Sequence, residues 1–176
     1  MGLDITSCSR VEFVELLYSV ADWEARYVED EETPADIFCL VNDREYPQRV
    51  EPLPIPESGI AVYRIAGEVW QFRAGPYSYY NQWRWQLCAM ATGMTPKQIR
   101  QTNHTEVTQA LPFYSLIDFS DADGIIGPDT SRILSEQFAQ FQPQADVVPD
   151  TDFRELYGDF RKAFELASEQ GVVLFH

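Results

Sequence analysis

The 176-residue chain is short of the residues that most often announce a chemistry. Its 3 cysteines, Cys8, Cys39 and Cys88, are odd in number and too far apart for a C-x-x-C pair, which argues against a disulfide framework or a zinc site and for reduced, buried thiols. There are 2 histidines, His104 in a polar stretch and His176 at the last position, neither inside a recognisable motif. No G-x-S-x-G, Walker loop, H-E-x-x-H or dinucleotide glycine turn occurs, so no cofactor and no bound metal are expected. Positive charge is scarce as well: 13 Lys and Arg stand against 28 Asp and Glu, for a net charge of −15. Phosphate contacts need clustered bases, so nucleic acid and anionic lipid are excluded as partners. No basic segment followed by an apolar one opens the chain, and no apolar run approaches the ~20 residues of a membrane span, so the expectation is a cytoplasmic protein without a membrane partner. "MGLDIT" fits a myristoylation pattern but reads equally as the start of a strand. The sequon Asn103-His104-Thr105 has no use without secretion.

What the chain does have is bulk. Hydrophobic residues make up 45% of it and aromatics 14%, enough for one globular domain over 1–176 that buries about 70% of its unfolded surface. Charge is segmented: residues 1–60 hold 14 acids and 4 bases, 61–115 hold 2 and 5, and 116–176 hold 12 and 4, giving nets of −10, +3 and −8. Either the middle third supplies buried elements between solvated flanks, or a locally positive site sits in a negative envelope. The richest acidic run, Glu29–Thr33, reads as an exposed loop and also as a docking surface for a basic protein.

Leu3–Cys8 alternates as a strand, while Val11–Val20 begins in period two and then matches the helical template through Phe13, Leu16, Leu17 and Val20; its first part reads as strand. Residues 34–58 are proline-bearing loop apart from the strand candidate Ile37–Val41. Ile60–Ile65 and Val69–Arg73, separated by Ala66-Gly67-Glu68, predict a β-hairpin. Ser78 is the expected N-cap of a helix running to Gly93, with Tyr80, Trp83, Leu87, Met90 and Ala91 on its core stripe and Arg84 and Trp85 off it. A second helix starts at Pro128 and turns Ile133, Leu134, Phe138 and Phe141 inward. A third, capped by Asp150 or Asp152, buries Phe153, Leu156, Tyr157, Phe160 and Phe164 and stops at Gly171. "VVLFH" closes as a strand that needs a neighbour, for which Leu3–Cys8 is a candidate. The fold class is α+β, a mixed or antiparallel sheet with about three helices.

Two places concentrate chemistry-bearing side chains. Leu116–Ser131 holds Asp118, Asp121, Asp123 and Asp129. With Gly124 at the sixth position of a calcium loop, Phe119 falls first and Thr130 twelfth, where Asp and Glu are required, so the EF-hand reading fails. What remains is a tight turn whose Asp side chains cap amides, or a divalent ion on Asp121, Asp123 and outside oxygens. In "FRAGPYSYYNQWR", Arg73, Tyr77, Ser78, Tyr79, Asn81 and Arg84 surround a strand-to-helix turn whose free amides attract anions. Arg73 and Arg84 either grip a small carboxylate or phosphate there, with Tyr77 or Tyr79 stacking, or pair with the Asp118–Asp123 turn. The candidate ligand-binding set is Arg73, Tyr77, Ser78, Tyr79, Asn81, Arg84, Asp121 and Asp123, with catalytic residues unassigned.

The blocks "MGLDIT", "FRAGPYSYYNQWR", "PFYSLIDFSDADGIIGP" and "AFELASEQGVVLFH" together resemble an uncharacterised family of small bacterial and phage proteins, over most of the chain. Where such proteins read "RAGSYSGYN", this one has Pro76 and Tyr79, and where they often carry a central Cys it has Ala122, which removes any thiol function there. The resemblance implies a bacterial or phage origin and brings no activity. The functional expectation is therefore a non-enzymatic acidic binding protein, immunity-like or inhibitory, acting on a basic protein partner reached by electrostatic steering. The alternative is a small-anion sensor or metal-assisted hydrolase built on the Arg/Tyr turn and the Asp cluster. A third reading makes the aromatics an oligomer interface; the sequence leaves the oligomeric state unknown.

Overall fold

Strands β1 (Leu3–Cys8) and β2 (Val11–Leu17) follow one another almost without a break, and so do β5 (Ile60–Ile65) and β6 (Val69–Gly75). The computed structural model in which they are seen describes residues 2–28, 34–41, 48–54, 56–101, 111–119 and 123–176. The acidic run 29–33, His104 with its sequon, and Asp121 with Ala122 lie outside the described residues. The remaining elements are α1 (Val20–Tyr27), β3 (Ile37–Val41), β4 (Gln48–Arg49), α2 (Tyr77–Thr92), α3 (Pro96–Gln101), α4 (Tyr114–Ile117), β7 (Gly124–Ile126), α5 (Pro128–Asp146), α6 (Thr151–Ala167) and β8 (Val172–Phe175). The class is α+β with mixed sheets, as expected, but α1, α3 and α4 exceed the three helices legible in the sequence.

The expected hairpin does not form. β6 pairs with β1, and β5 pairs with β2 and β3. Among the described residues the sheets run β4-β7-β8-β1-β6 and β2-β5-β3, antiparallel except for β4 against β7. The two long strands thus make one ribbon that leaves one sheet and enters the other through a corner, Ser9-Arg10 facing Ala66-Gly67-Glu68. Ser9 N–H donates to Glu68 O at 3.0 Å and Ala66 N–H to Arg10 O at 2.9 Å, so the ladder is carried round the bend. A Cβ at Gly67 would stand 2.3 Å from Ser9 Oγ, which is why the corner takes glycine.

Side chains alternate across the five-stranded sheet. Leu3, Ile5, Ala74, Val173 and Phe175 face the helices and pack on Tyr80, Trp83, Phe138, Phe160 and Phe164. Cys8, Ile125, Val172 and Leu174 face the smaller sheet and meet Phe38, Leu40, Ala61 and Tyr63. The result is three layers: helices, large sheet, small sheet. β2, an edge strand, leaves Phe13 57% and Leu16 41% exposed.

Helix α6 follows its pattern fully: Asp150 Oδ1 accepts from Phe153 N–H at 3.2 Å, and all five expected aromatic and aliphatic residues are buried. It ends at Ala167, earlier than the expected stop at Gly171. Gly171 is needed instead because a Cβ there would lie 1.7 Å from the carbonyl oxygen of Cys8. On α5, Leu134 and Phe138 are buried while Ile133 is 45% exposed and Ser131 takes the inward place. On α2, Tyr80, Trp83 and Leu87 face the core as expected, but Ser78 lies inside the first turn and Pro76 holds the N-cap position without a side-chain bond. Arg84, expected off the stripe, is buried on it. The thiols are free, Cys8 and Cys88 buried and Cys39 half-buried; burial raises the Cys88 pKa to about 11.

Candidate functional site

Among the described residues, the members of the expected set do not come together as one site. Arg84 turns inward from α2 and donates to Phe119 O at 2.5 Å and Leu116 O at 3.4 Å, with Asn81 Oδ1 on its other nitrogen and the Tyr80 ring 5.4 Å away. Among the described residues it reaches the head of the Asp-rich bend through backbone carbonyls, one in α4 and one two residues past its end, where helix and turn leave oxygens without intrahelical donors. Arg73 points elsewhere: its exposed guanidinium stands 3.9 Å from Asp4. Tyr77 and Tyr79 are half-buried and Ser78 is exposed. The shallow depression at the start of α2 is lined by Arg73 and Tyr79 but also by Asp152, Glu155 and Asp159. Three carboxylates to one guanidinium is the wrong sign for an anion. Burial raises the Tyr79 hydroxyl's pKa, and Asp150, Asp152 and Glu155 add to the rise. Asp118 pairs with Arg49 at 3.0 Å and Asp129 with Arg132 at 3.5 Å.

Asp123 has a different setting, which follows from strand register. Gly124 is opposite Phe175 on β8, and Phe175 is opposite Ile5 on β1. One step further along, Asp123 therefore neighbours His176, and His176 neighbours Asp4. The second of these is sealed by reciprocal backbone bonds, Asp4 N–H to His176 O at 3.2 Å and His176 N–H to Asp4 O at 3.0 Å. Asp4 is in turn opposite Arg73. Directly opposed residues in an antiparallel ladder share a face, so His176, Asp4 and Arg73 form one row across β8, β1 and β6, and Asp123, one residue before β7, stands at its near end with its charge acting on the His176 ring. Each of the four sequence blocks named above contributes one member.

The next row along the same face is Ile125, Leu174, Thr6 and Gln71, and the next contains Val172, Cys8 and Val69. That face thus grades from charged to apolar over three rows, from Asp4 to Cys8 on β1. Gln71 Nε2 donates to Thr6 Oγ1 at 3.3 Å, and His176 Nε2 lies 3.3 Å from the same oxygen. Thr6 Oγ1 thus stands between the two side chains, accepting from Gln71 on one side and facing the His176 ring on the other. His176 keeps part of its surface exposed, yet protein atoms crowd the ring, and this burial lowers its pKa below the usual histidine value, while Asp123 and Asp4 push back upward.

Beside the row, away from the corner, the two sheets part to leave a cleft of about 500 Å³. The cleft wraps the β3 edge of the small sheet: Phe38 from its inner face with Ile125 and Leu174 of the large sheet on one side, Ile37, Cys39 and Val41 from its outer face with Trp23 of α1 on the other, and Thr6 and His176 at the polar end. The volume is that of a small-molecule site, and the lining is mainly apolar with few convergent polar groups. Among the described residues no three His, Cys, Asp or Glu side chains are placed to hold a metal ion, and no helix is long and apolar enough to cross a membrane. Asp4 and Thr6 belong to no motif; the alternation of "LDIT", which puts them on one face, is the signal in the sequence that marks them. Comparison of the chain with protein-family models, with curated proteins and with solved structures finds no match.

Proposed function

We propose that the protein binds a small, mostly apolar molecule between its two sheets, with the molecule's polar group at the Thr6–His176 end. The observation that supports this is the cleft: about 500 Å³, apolar along its walls, and closed at one end by a hydroxyl, an imidazole and flanking carboxylates. Burying an apolar body there contributes about 25 cal/mol per Å² removed from water, enough for a ligand held without covalent chemistry. Free thiols at Cys8, Cys39 and Cys88 suit a cytosolic setting. The test is a fragment screen read by thermal shift and by calorimetry, repeated with Cys39→Phe, which adds bulk to the cleft from β3. Binders to the native chain that vanish in Cys39→Phe support the proposal; a screen without binders, or binders indifferent to the substitution, ends it.

A second reading keeps the acidic binding protein. β2 is an edge with Phe13, Val14 and Leu16 exposed beside Glu12, and an edge with unpaired backbone groups accepts an added strand. A basic, partly apolar segment is the occupant that the net charge of −15 favours. Salt-sensitive binding of a lysine-rich peptide, lost in Leu16→Glu, supports it; peptide binding unaffected by either change removes it.

A further inference from the structure

We infer that the occupant of the cleft is a short extended peptide, added as a further strand to the open edge of β3; this rests on the cleft reading above. The register of the small sheet shows which way the β3 backbone points. Ile65 N–H donates to Asp36 O at 2.7 Å, and the same parity carries the bonds to β5 through Phe38, opposite Tyr63, and Leu40, opposite Ala61. The backbone groups of Ile37, Cys39 and Val41 therefore turn the other way, toward the edge that the cleft wraps. Ile37 N–H is satisfied by Pro34 O at 3.0 Å. The N–H and C=O of Cys39 and the N–H of Val41 have no main-chain partner among the described residues. The Cys39 N–H leans on its own thiol, a weak acceptor that a carbonyl would replace.

Such an edge selects a peptide. An apolar body without hydrogen-bonding groups would cover these donors and acceptors and leave them unpaired, which is costly once water is excluded. An extended peptide offers N–H and C=O at the i, i+2 repeat of β3 itself, about 7 Å, and its side chains alternate to the two sides of the added strand. One side meets Phe38, Ile125 and Leu174 between the sheets; the other meets Val41 and Trp23. Apolar residues suit both walls, and a peptide unit supplies the polar group for Thr6 and His176. Main-chain bonds then give affinity and the two apolar walls give selectivity. The net charge of −15 sets the flanks: lysine beside the apolar residues is complementary to the chain, while aspartate or glutamate is repelled.

The experiment titrates the end-capped peptide Lys-Val-Leu-Val-Lys, and its depsipeptide with esters in place of the amides between the apolar residues, calorimetrically into the full chain. The depsipeptide is expected to bind about tenfold more weakly, the scale of two neutral hydrogen bonds lost. Cys39→Pro removes an edge N–H while Phe38 and Leu40 keep the bonds to β5, and should weaken the peptide by a similar factor. Leu16→Glu, on the β2 edge, should not weaken it. The depsipeptide comparison needs no variant to fold. Three results overturn the strand assignment alone: a depsipeptide that binds as tightly as the peptide, a Glu-flanked peptide that binds as tightly as the Lys-flanked one, or binding lost in Leu16→Glu and kept in Cys39→Pro. Apolar fragments that bind where the peptide does not overturn it as well. If neither fragments nor peptide bind, the cleft reading falls and the assignment with it.

Discussion

Replacing Arg84 by Met removes a buried guanidinium while keeping most of the aliphatic stem. The loss can be sized from its contacts. The bond to Phe119 O is short at 2.5 Å, the one to Leu116 O is weak at 3.4 Å, and Asn81 Oδ1 takes the other terminal nitrogen. A hydrogen bond from a charged donor is worth about 1.5–3 kcal/mol net, and a buried carbonyl left without its donor costs about 1–3 kcal/mol. Against this, Nε has no partner among the described residues, and removing an unpaired buried N–H returns part of the loss. The expected net is a destabilisation of about 2–3 kcal/mol, which at this chain length lowers Tm by roughly 4–12 °C. Arg84→Lys, a point charge able to serve one carbonyl well, should lose about half as much. Urea unfolding with a common slope is the assay. A Met variant within about 0.5 kcal/mol of the native chain, the size of an ordinary surface substitution, would show that the guanidinium does not tie down residues 116–119, and with them the approach to Asp123.

Gly171→Ala pushes a methyl to 1.7 Å from Cys8 O, a backbone atom that cannot yield, so the variant should be destabilised by about 3 kcal/mol or more, visible as a lower urea midpoint; a midpoint equal to the native one would mean β1 and the α6–β8 connection are not in contact. Because the folded pKa of His176 is lowered from 6.5, the unfolded chain takes up a proton first on acidification. The His176 contribution is then fully present above pH 6.5 and fades as pH falls from there through the folded pKa; stability measured from pH 7.5 to 5.5 should fall more steeply in the native chain than in His176→Asn, and equal slopes would refute it. Iodoacetamide should modify half-buried Cys39 before buried Cys8 and Cys88, a sequence readable by mass spectrometry, with early labelling of Cys88 as the contrary result. Asp150→Ala should cost about 1 kcal/mol through loss of the α6 cap, and an unchanged melt would deny that cap a role.

What could be read from the sequence was whatever a single element decides for itself. Phe153 through Phe164 repeat at helical spacing beside a capping Asp, and α6 obeys; the β-branched and aromatic runs all became strands. Pairing was another matter. Ile65 and Val69 lie close in sequence and look like two arms of a hairpin, but their partners, Val11 and Cys8, are more than fifty positions away, and no local pattern encodes which distant strand is met. A hydropathy stripe counts a guanidinium as surface, whereas open carbonyls in and just past α4 draw that of Arg84 inside. The candidate site shows the same divide. Arg73 and Asp123 were singled out and do share a row, but the pair between them, His176 and Asp4, depends on register. The β1–β8 pairing was foreseen; its alignment was not.

Leu17 and Ile60 are paired across the ladder, so everything from 18 to 59 departs from and returns to one spot on the ribbon. That excursion carries Trp23 and the whole of β3, one wall of the cleft, and also β4, which joins the large sheet beside β7, while His176, Asp4 and Arg73 lie outside it. The shape of that wall and the charge of the row are therefore set by separate stretches of the chain, and lengthening the detour costs little in closure entropy.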